Sequence, residues 1–492
     1  MSKQNLDVSH LKDDAEALSA RSSALGLSTQ AIKFVIQVVS TGLLARFLMP
    51  EDYGLIAMTA VLTGFMTVIK DGGLSQATIQ VESLNHAQIS NLFWVNCCLG
   101  GVISILLFAI APSVALFFEE PRLTNIIWFL TIPFLISGAS VQHLALLQRQ
   151  MRFSTILGLE VCSMAAGNLL AIYLAYAGYG YWALVVKVIA EAFITAVALW
   201  LLTGWNPGRP KKGAGVRALL VFGTDVLVFK VVNFFSRNAD NLLIGWRWGS
   251  TDLGLYNRAY TLLMLPVGQV NAPISRVIIS GMSRAKGDAA MLRRIYLGGL
   301  ELSCALSLPL ITIIVIFAHE IVRLWLGENW SQVAFLFQLL APAAFVGLLL
   351  NTTGWVLISI GRVKRYRTIG VVSAPILVLG FAAGLEYGPN GVAIAYSIVM
   401  CLMLIPTWIW VFHKTEIHWF APFRALIPVF TSTLAGAIAA IVMRSVTSFE
   451  NFHSLFIGAT LFLVVYATVY LLAFRKYETV RSLAQEHLFR SK

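Results

Sequence analysis

Two stretches, LLARFLMPEDYGL (43–55) and LIGWRWGSTDLGL (243–255), stand 200 residues apart and decide how this chain folds. Leu43/Leu243, Asp52/Asp252, Gly54/Gly254 and Leu55/Leu255 coincide without a gap, while Leu44/Ile244 and Ala45/Gly245 are close substitutions. Each stretch ends one apolar run, turns and starts the next: 25–48 into 53–79, and 217–245 into 254–280. A second echo, Gly180-Tyr181-Trp182-Ala183 against Gly391-Val392-Ala393-Ile394, opens the sixth and twelfth runs. Matches at equivalent points six runs apart imply an internal duplication. Six is even, so both copies share one orientation and their pseudo-axis runs along a membrane normal.

The runs sit in a chain of 492 residues that is 58% hydrophobic and 12% charged. A soluble domain carries about 25% charged residues, so a water-soluble globular protein is excluded. Crossing roughly 30 Å of hydrocarbon takes about 20 apolar residues in a helix. Fourteen runs fit: 25–48, 53–79, 91–118, 123–147, 153–177, 181–204, 217–245, 254–280, 295–318, 333–360, 368–386, 391–412, 425–446 and 453–474. The expected fold is an all-α polytopic membrane protein with 14 transmembrane helices, two pseudo-symmetric sets of six and two C-terminal helices outside the repeat. Its domains read as an N-terminal tail (1–24), helices 1–6 (25–204), a linker (205–216), helices 7–12 (217–412), helices 13–14 (413–474) and a C-terminal tail (475–492). The tail 1–24 has no apolar core and is no secretory signal. The segment around GWNPGRPKKGAG (204–215), between the sixth and seventh runs, reads as a hinge.

The net charge of +12 raises the question of a nucleic-acid partner, and the placement of the cations answers against one. With the N-terminus cytoplasmic, 24 of the 36 Lys and Arg fall in cytoplasmic segments and 5 on the other side, the remaining 7 lying within spans. That is the positive-inside bias, and one miscounted span would invert every later loop. Both termini are therefore expected in the cytoplasm. The five cysteines lie inside apolar runs without metal-ligand spacing and read as packing residues.

LLARFLMPEDYGLIAM (43–58), DGGLSQATIQ (71–80), SRNADNLLIGWRWGSTDLGLYNRAYTLLMLP (236–266) and GENWSQ (327–332) resemble the bacterial polysaccharide transport family of lipid-linked oligosaccharide flippases, the colanic-acid-exporter branch above all. The resemblance spans about residues 20–430 and is most specific at 236–266. It implies the fold of the multidrug/oligosaccharidyl-lipid/polysaccharide superfamily, two six-helix bundles in a V around a central cavity with two extra helices. It also implies a transporter rather than an enzyme, working in the bacterial inner membrane as a monomer. The implied cargo is an undecaprenyl-pyrophosphate-linked oligosaccharide repeat unit, carried from the cytoplasmic to the periplasmic leaflet for exopolysaccharide or O-antigen synthesis. Membrane lipids and a polysaccharide polymerase with its chain-length machinery are the implied partners.

Ionisable residues inside spans are costly and default to a functional or cavity-facing reading. The bases are Lys33, Lys70, Lys187, Lys230, Arg237, Arg258 and Arg276, and the acids Asp71, Glu160, Glu191, Asp225, Asp240 and Glu301. Lys70 can pair with Asp71, Lys187 with Glu191 and Arg237 with Asp240, whereas Lys33, Lys230, Arg258 and Arg276 have no acid close in sequence. A pyrophosphate needs Lys or Arg partners in a partly dehydrated cavity. Lys33, Lys70, Arg237, Arg258 and Arg276 are the candidates for that cationic surface, since the first, second, seventh and eighth helices line the cavity of the resembled fold. Asp71, Asp225 and Asp240 are candidates for coupling an H⁺ or Na⁺. Trp246 and Trp248, flanking Arg247, are candidates for the periplasmic mouth. Gly72-Gly73 reads either as close helix packing or as a bend. No Walker-type phosphate loop is present in the sequence. No cofactor is expected; the membrane potential, with or without a coupled ion, is the expected energy source. The rivals are a multidrug or organic-cation antiporter on the same fold, which calls for an acid-dominated cavity, and a membrane polymerase or ligase, which calls for catalytic loops.

Overall fold

The computed structural model describes residues 15–70, 78, 85–211, 224–446 and 452–474, and every regular element among them is helical. The longer helices are α1 (Ala15–Phe47), α2 (Pro50–Lys70), α3 (His86–Phe117), α4 (Arg122–Leu130), α5 (Ile132–Arg149), α6 (Phe153–Tyr176), α7 (Trp182–Thr203), α8 (Thr224–Arg284), α9 (Ala289–Ile316), α10 (Ala318–Trp325), α11 (Ser331–Ser359), α12 (Val363–Gly384), α13 (Gly388–Phe412), α14 (Ala421–Val446) and α15 (Phe452–Thr468). Among the described residues, 11 helical stretches are long and apolar enough to cross a membrane. Two of these stretches, of 48 and 49 residues, are long enough to cross twice, and each is broken near its middle or end. One break is the 3₁₀ turn Leu385–Tyr387 between α12 and α13, and the other is Gly249 inside α8, at φ 83° and ψ −172°. The Gly249 break is a reversal. Tyr256 donates its hydroxyl to Asp240 at 2.9 Å, and Asn257 bonds Asn241 at 3.3 Å. Residues 16 apart on a straight helix would be about 24 Å from each other.

Local chemistry explains where the helices start and stop. Pro50 opens α2 with a preset φ, and the Asp52 carboxylate accepts the Met49 N–H at 2.9 Å, which satisfies a donor the helix leaves over. Asn85 and Gln88 form a reciprocal capping box at the start of α3. Asp288 caps α9 through the Met291 N–H at 2.9 Å. Gly204, left-handed at φ 55°, ends α7.

The chain divides into two compact units, 1–257 and 258–492. In the first, α1 packs on α6, α6 on α7, α3 on α5 and α5 on α7. Leu44 of α1 and Leu48 just beyond its end meet Ala171 and Ala175 of α6 and Ala183 and Leu184 of α7, so small residues on two helices admit the leucines. At the α2–α4 end, Arg122 donates to both Glu120 oxygens at 2.7 Å and also bonds Glu51. Those bonds hold the Glu120 carboxyl below the usual carboxylate range. The repeat stretches touch within this same unit, and they do so reciprocally. A β-carbon on Gly54 would lie 1.6 Å from the Ser250 carbonyl oxygen, and one on Gly254 would lie 1.9 Å from that of Pro50. Positions 50, 54, 250 and 254 therefore exchange roles under the 200-residue offset, as the two copies of a twofold contact do.

The expected hinge is a strap over its described half. Asn91 brackets the Lys211 backbone, accepting its N–H at 2.8 Å and donating to its carbonyl at 2.7 Å. Trp94 donates to the Gly208 carbonyl at 2.9 Å, and Ser90 accepts the Gly208 N–H at 2.9 Å. Trp205 is buried with Ile89, Phe93 and Leu146. Two turns of α3 thus fix residues 205–211, and a hinge is not what this part of the linker forms; 212–216 lie outside the described residues.

In the second unit α13 packs on both α11 and α12, and α9 on α14. The last two helices dock by packing as well as by charge. Phe317, Ala440, Phe462 and Tyr466 form one buried cluster, and Tyr466 donates to the Ala305 carbonyl at 2.9 Å. Tyr470 donates to Glu301 at 3.0 Å, and Arg444 meets Glu320 at 2.8 Å and the Ile316 carbonyl at 2.6 Å. The Glu320 side chain is 14% exposed, so Arg444→Leu strands a largely buried carboxylate. Its expected cost is about 1–3 kcal/mol, read as a lower thermal midpoint in detergent and relieved when Glu320→Gln is added.

Candidate functional site

A cavity of about 350 Å³ opens inside the first unit among α2, the α4–α5 junction and α7. Its α2 wall is set by helical spacing: Thr59, Thr63, Thr67 and Lys70 recur every three or four residues and share one face. Each threonine hydroxyl donates to a backbone carbonyl a turn earlier, to Ile56, Thr59 and Thr63 respectively, at 2.8–2.9 Å. The donors are thereby spent locally, and acceptor lone pairs remain toward the cavity. Lys70 closes the row. Its ammonium donates to Ser137 at 3.2 Å and lies 5.9 Å from the centre of the Phe134 ring. The opposite wall, with Pro133, Phe134, Leu184 and Val188, is apolar. A cation facing hydroxyls on one side and apolar surface on the other suits a ligand that is anionic at one point and hydroxyl-rich or greasy elsewhere.

The other four candidate cations have different surroundings. Lys33 on α1 is ion-paired with Glu160 on α6, the two side chains being 23% and 46% exposed. Sequence proximity could not reveal that pair, because 127 residues separate its members. Arg237 is exposed, and among the described residues it makes no ion pair with Asp240, contrary to the i,i+3 expectation. Asp240 instead is buried and receives the Tyr256 hydroxyl and the Asn241 N–H at 2.8 Å. In the second unit the Arg258 guanidinium lies 5.9 Å from the centre of the buried Trp330 ring, a cation–π contact. Arg276 is exposed, beside Ser275, which accepts the Trp355 indole N–H at 2.9 Å.

Lys187 and Glu191 do pair, at 3.9 Å, as their spacing implies. Trp246 and Trp248 are both exposed, and Trp246 stacks on Phe117 at 6.2 Å. Asp71 and Gly72-Gly73 lie outside the described residues, as do the side chains of Asp225 and Lys230. Two features escaped the sequence reading: the threonine face leading to Lys70, whose signal was its helical spacing, and Ser137, which carried none.

The profile of a family described as polysaccharide biosynthesis protein matches residues 43–335. The teichuronic acid biosynthesis protein TuaB of Bacillus subtilis (strain 168) is 28% identical over 423 residues, covering 84% of this chain and 86% of its own. The lipopolysaccharide biosynthesis protein WzxC of Escherichia coli (strain K12) is 24% identical over 77% of this chain and 79% of its own. Among solved structures, the lipid II flippase MurJ in an inward closed conformation superposes with a TM-score of 0.75 at 13% identity, over 93% of this chain and 99% of that one. At that identity the likeness speaks for the fold.

Proposed function

The chain belongs to that polysaccharide biosynthesis protein family, matched over 43–335, and from that membership we propose that it is a flippase for undecaprenyl-pyrophosphate-linked oligosaccharide repeat units. It carries them from the cytoplasmic to the periplasmic leaflet of a bacterial inner membrane, with both termini cytoplasmic. Two six-helix lobes, 25–204 and 217–412, alternate in access, and 413–474 adds two helices. In support of fourteen spans, counting both sides of the Gly249 and Leu385–Tyr387 breaks and adding α1 brings the 11 stretches to that number.

One observation carries the substrate reading: Lys70 sits at the end of a hydroxyl-lined wall of a cavity within a chain of membrane-crossing length. The ammonium takes the pyrophosphate, with Lys33 and Arg237 as further cations of the first unit and Arg258 and Arg276 as those of the second. An inside-negative potential favours outward movement of the anionic headgroup by about 2.3 kcal/mol per charge per 100 mV. Deleting the gene and identifying the lipid-linked saccharide that accumulates tests the reading. Accumulation of an undecaprenyl-pyrophosphate oligosaccharide on the cytoplasmic face, reversed by the intact gene, is the expected result; no accumulating lipid-linked sugar would overturn it.

The Lys33–Glu160 pair separates structure from transport. Glu160→Gln leaves a half-buried ammonium without its carboxylate, and the expected loss of stability is about 1 kcal/mol after allowance for solvent screening. Adding Lys33→Gln restores the midpoint. If the Lys33 charge serves the substrate, that double variant folds normally yet transports several-fold more slowly. Transport at the normal rate would remove Lys33 from the cationic set.

A further inference from the structure

The hairpin of α12 and α13 is closed at one end and open at the other. Next to its turn the backbones touch: a β-carbon on Gly384 would lie 2.4 Å from the Gly391 carbonyl oxygen, and one on Gly391 2.3 Å from that of Gly384. Further along, bulkier residues replace the glycines, and Pro406 within α13 withdraws a backbone donor and strains the helix. There a second cavity of about 350 Å³ opens between the helices, with Thr368, Val372 and Ile376 on one wall and Leu402, Pro406 and Trp410 on the other. Its lining is almost wholly apolar, and Val372, Leu402 and Trp410 are exposed on the surface of the unit.

The open end is marked by charge. The Arg365 guanidinium lies 5.8 Å from the centre of the Trp410 ring and donates to the His413 carbonyl at 2.8 Å, which fixes it beside the groove. Arg362, also bonded to His413, is exposed, as are Lys364, Arg367 and Lys414, and the acid nearest to Lys414 in sequence is Glu416. A guanidinium has five N–H donors in a planar fork that fits a phosphate. An apolar channel in a membrane-crossing hairpin, ending in four arginines and lysines within six residues, complements a molecule with a chain at one end and an anion at the other.

We infer that this groove holds one acyl chain of an anionic glycerophospholipid, with its phosphate on Arg365 and the neighbouring cations. Length selects this occupant. From Val399 to Trp410 the groove follows 11 residue steps of α13, about 16 Å at the helical rise, which is about half of a ~30 Å hydrocarbon core. One leaflet's acyl chain fills that depth, whereas a polyprenyl chain of many isoprene units overruns it. The site is separate from the Lys70 cavity, and its test does not depend on transport.

The full-length protein in detergent is titrated with phosphatidylglycerol, phosphatidylcholine or undecaprenyl phosphate, reading bound lipid by native mass spectrometry and the thermal midpoint in parallel. Phosphatidylglycerol is expected to be retained about tenfold more tightly than phosphatidylcholine, and Arg365→Gln with Lys364→Gln to erase that preference. Leu402→Trp, which fills the groove without touching charge, is expected to weaken both phospholipids. Equal retention of the two phospholipids by the unaltered protein, or a preference that survives the charge variant, overturns the inference. So does displacement of phosphatidylglycerol by equimolar undecaprenyl phosphate, which would assign the groove to a polyprenyl tail.

Discussion

Alanine at Gly254 is expected to cost this protein more stability than alanine at any glycine with open space around it. The added β-carbon would stand 1.9 Å from the Pro50 carbonyl oxygen, 2.8 Å from its carbon and 3.0 Å from the Gly54 nitrogen. All three are backbone atoms, so no side chain can rotate away, whereas carbon atoms pack comfortably at about 3.5–4.0 Å. Two helix starts must separate by more than an ångström. Overpacking of this kind costs about 1–3 kcal/mol even where side chains yield, and the upper end or beyond is expected here. Gly54→Ala is the mirror experiment, with its β-carbon 1.6 Å from the Ser250 oxygen. Because one separation relieves both clashes, the double variant is expected to cost clearly less than the two singles added. Gly101 is the control: nothing lies within 4 Å of its β-position inside α3, and Ala there is expected to be neutral or stabilising by about 0.5–1 kcal/mol. Thermal midpoints in detergent decide the matter. Singles that melt like the unaltered protein would mean that the copies do not meet at Gly54 and Gly254.

Lys70→Gln is expected to reduce transport at least tenfold with little change in folding. A unit charge pair at 4 Å is worth about 4 kcal/mol where the effective dielectric is near 20, and part of that is offset by stripping water from both groups. A net tenfold or larger effect, about 1.4 kcal/mol, remains. Lys70→Arg keeps the charge and is expected to retain part of the activity, although its planar fork will not occupy the ammonium's place beside Ser137. Ser137→Ala removes the acceptor at 3.2 Å and Thr63→Val removes a lining hydroxyl; each is expected to have a smaller effect than loss of the charge. Export in cells and flipping in proteoliposomes, both at matched protein levels, provide the measurements. Normal transport by Lys70→Gln would dismiss this cavity as the headgroup site.

The helices were written in the sequence because the signals that make them are local. Apolar length, proline at position 50, the Asn85–Gln88 box and glycines 204 and 249 act within a turn or two of where they stand. The duplication was legible for the same reason, since 43–55 and 243–255 each specify a helix end, a turn and a helix start. Facing was not legible. In a soluble helix an apolar stripe marks the inward side, but in a membrane-crossing helix lipid and core are equally apolar, and the pattern carries no direction. Rotation of each helix about its axis therefore had to come from packing. It brought Glu160 to Lys33 across 127 residues, turned Asp240 inward to Tyr256 while Arg237, three residues away, stayed outside, and lined Thr59, Thr63, Thr67 and Lys70 along one cavity wall. The sequence by itself determined which residues carry charge into the helices and where the chain reverses. Only the tertiary structure decided what each charge meets, because a partner is chosen by the angle between packed helices, and that angle is a property of the neighbours.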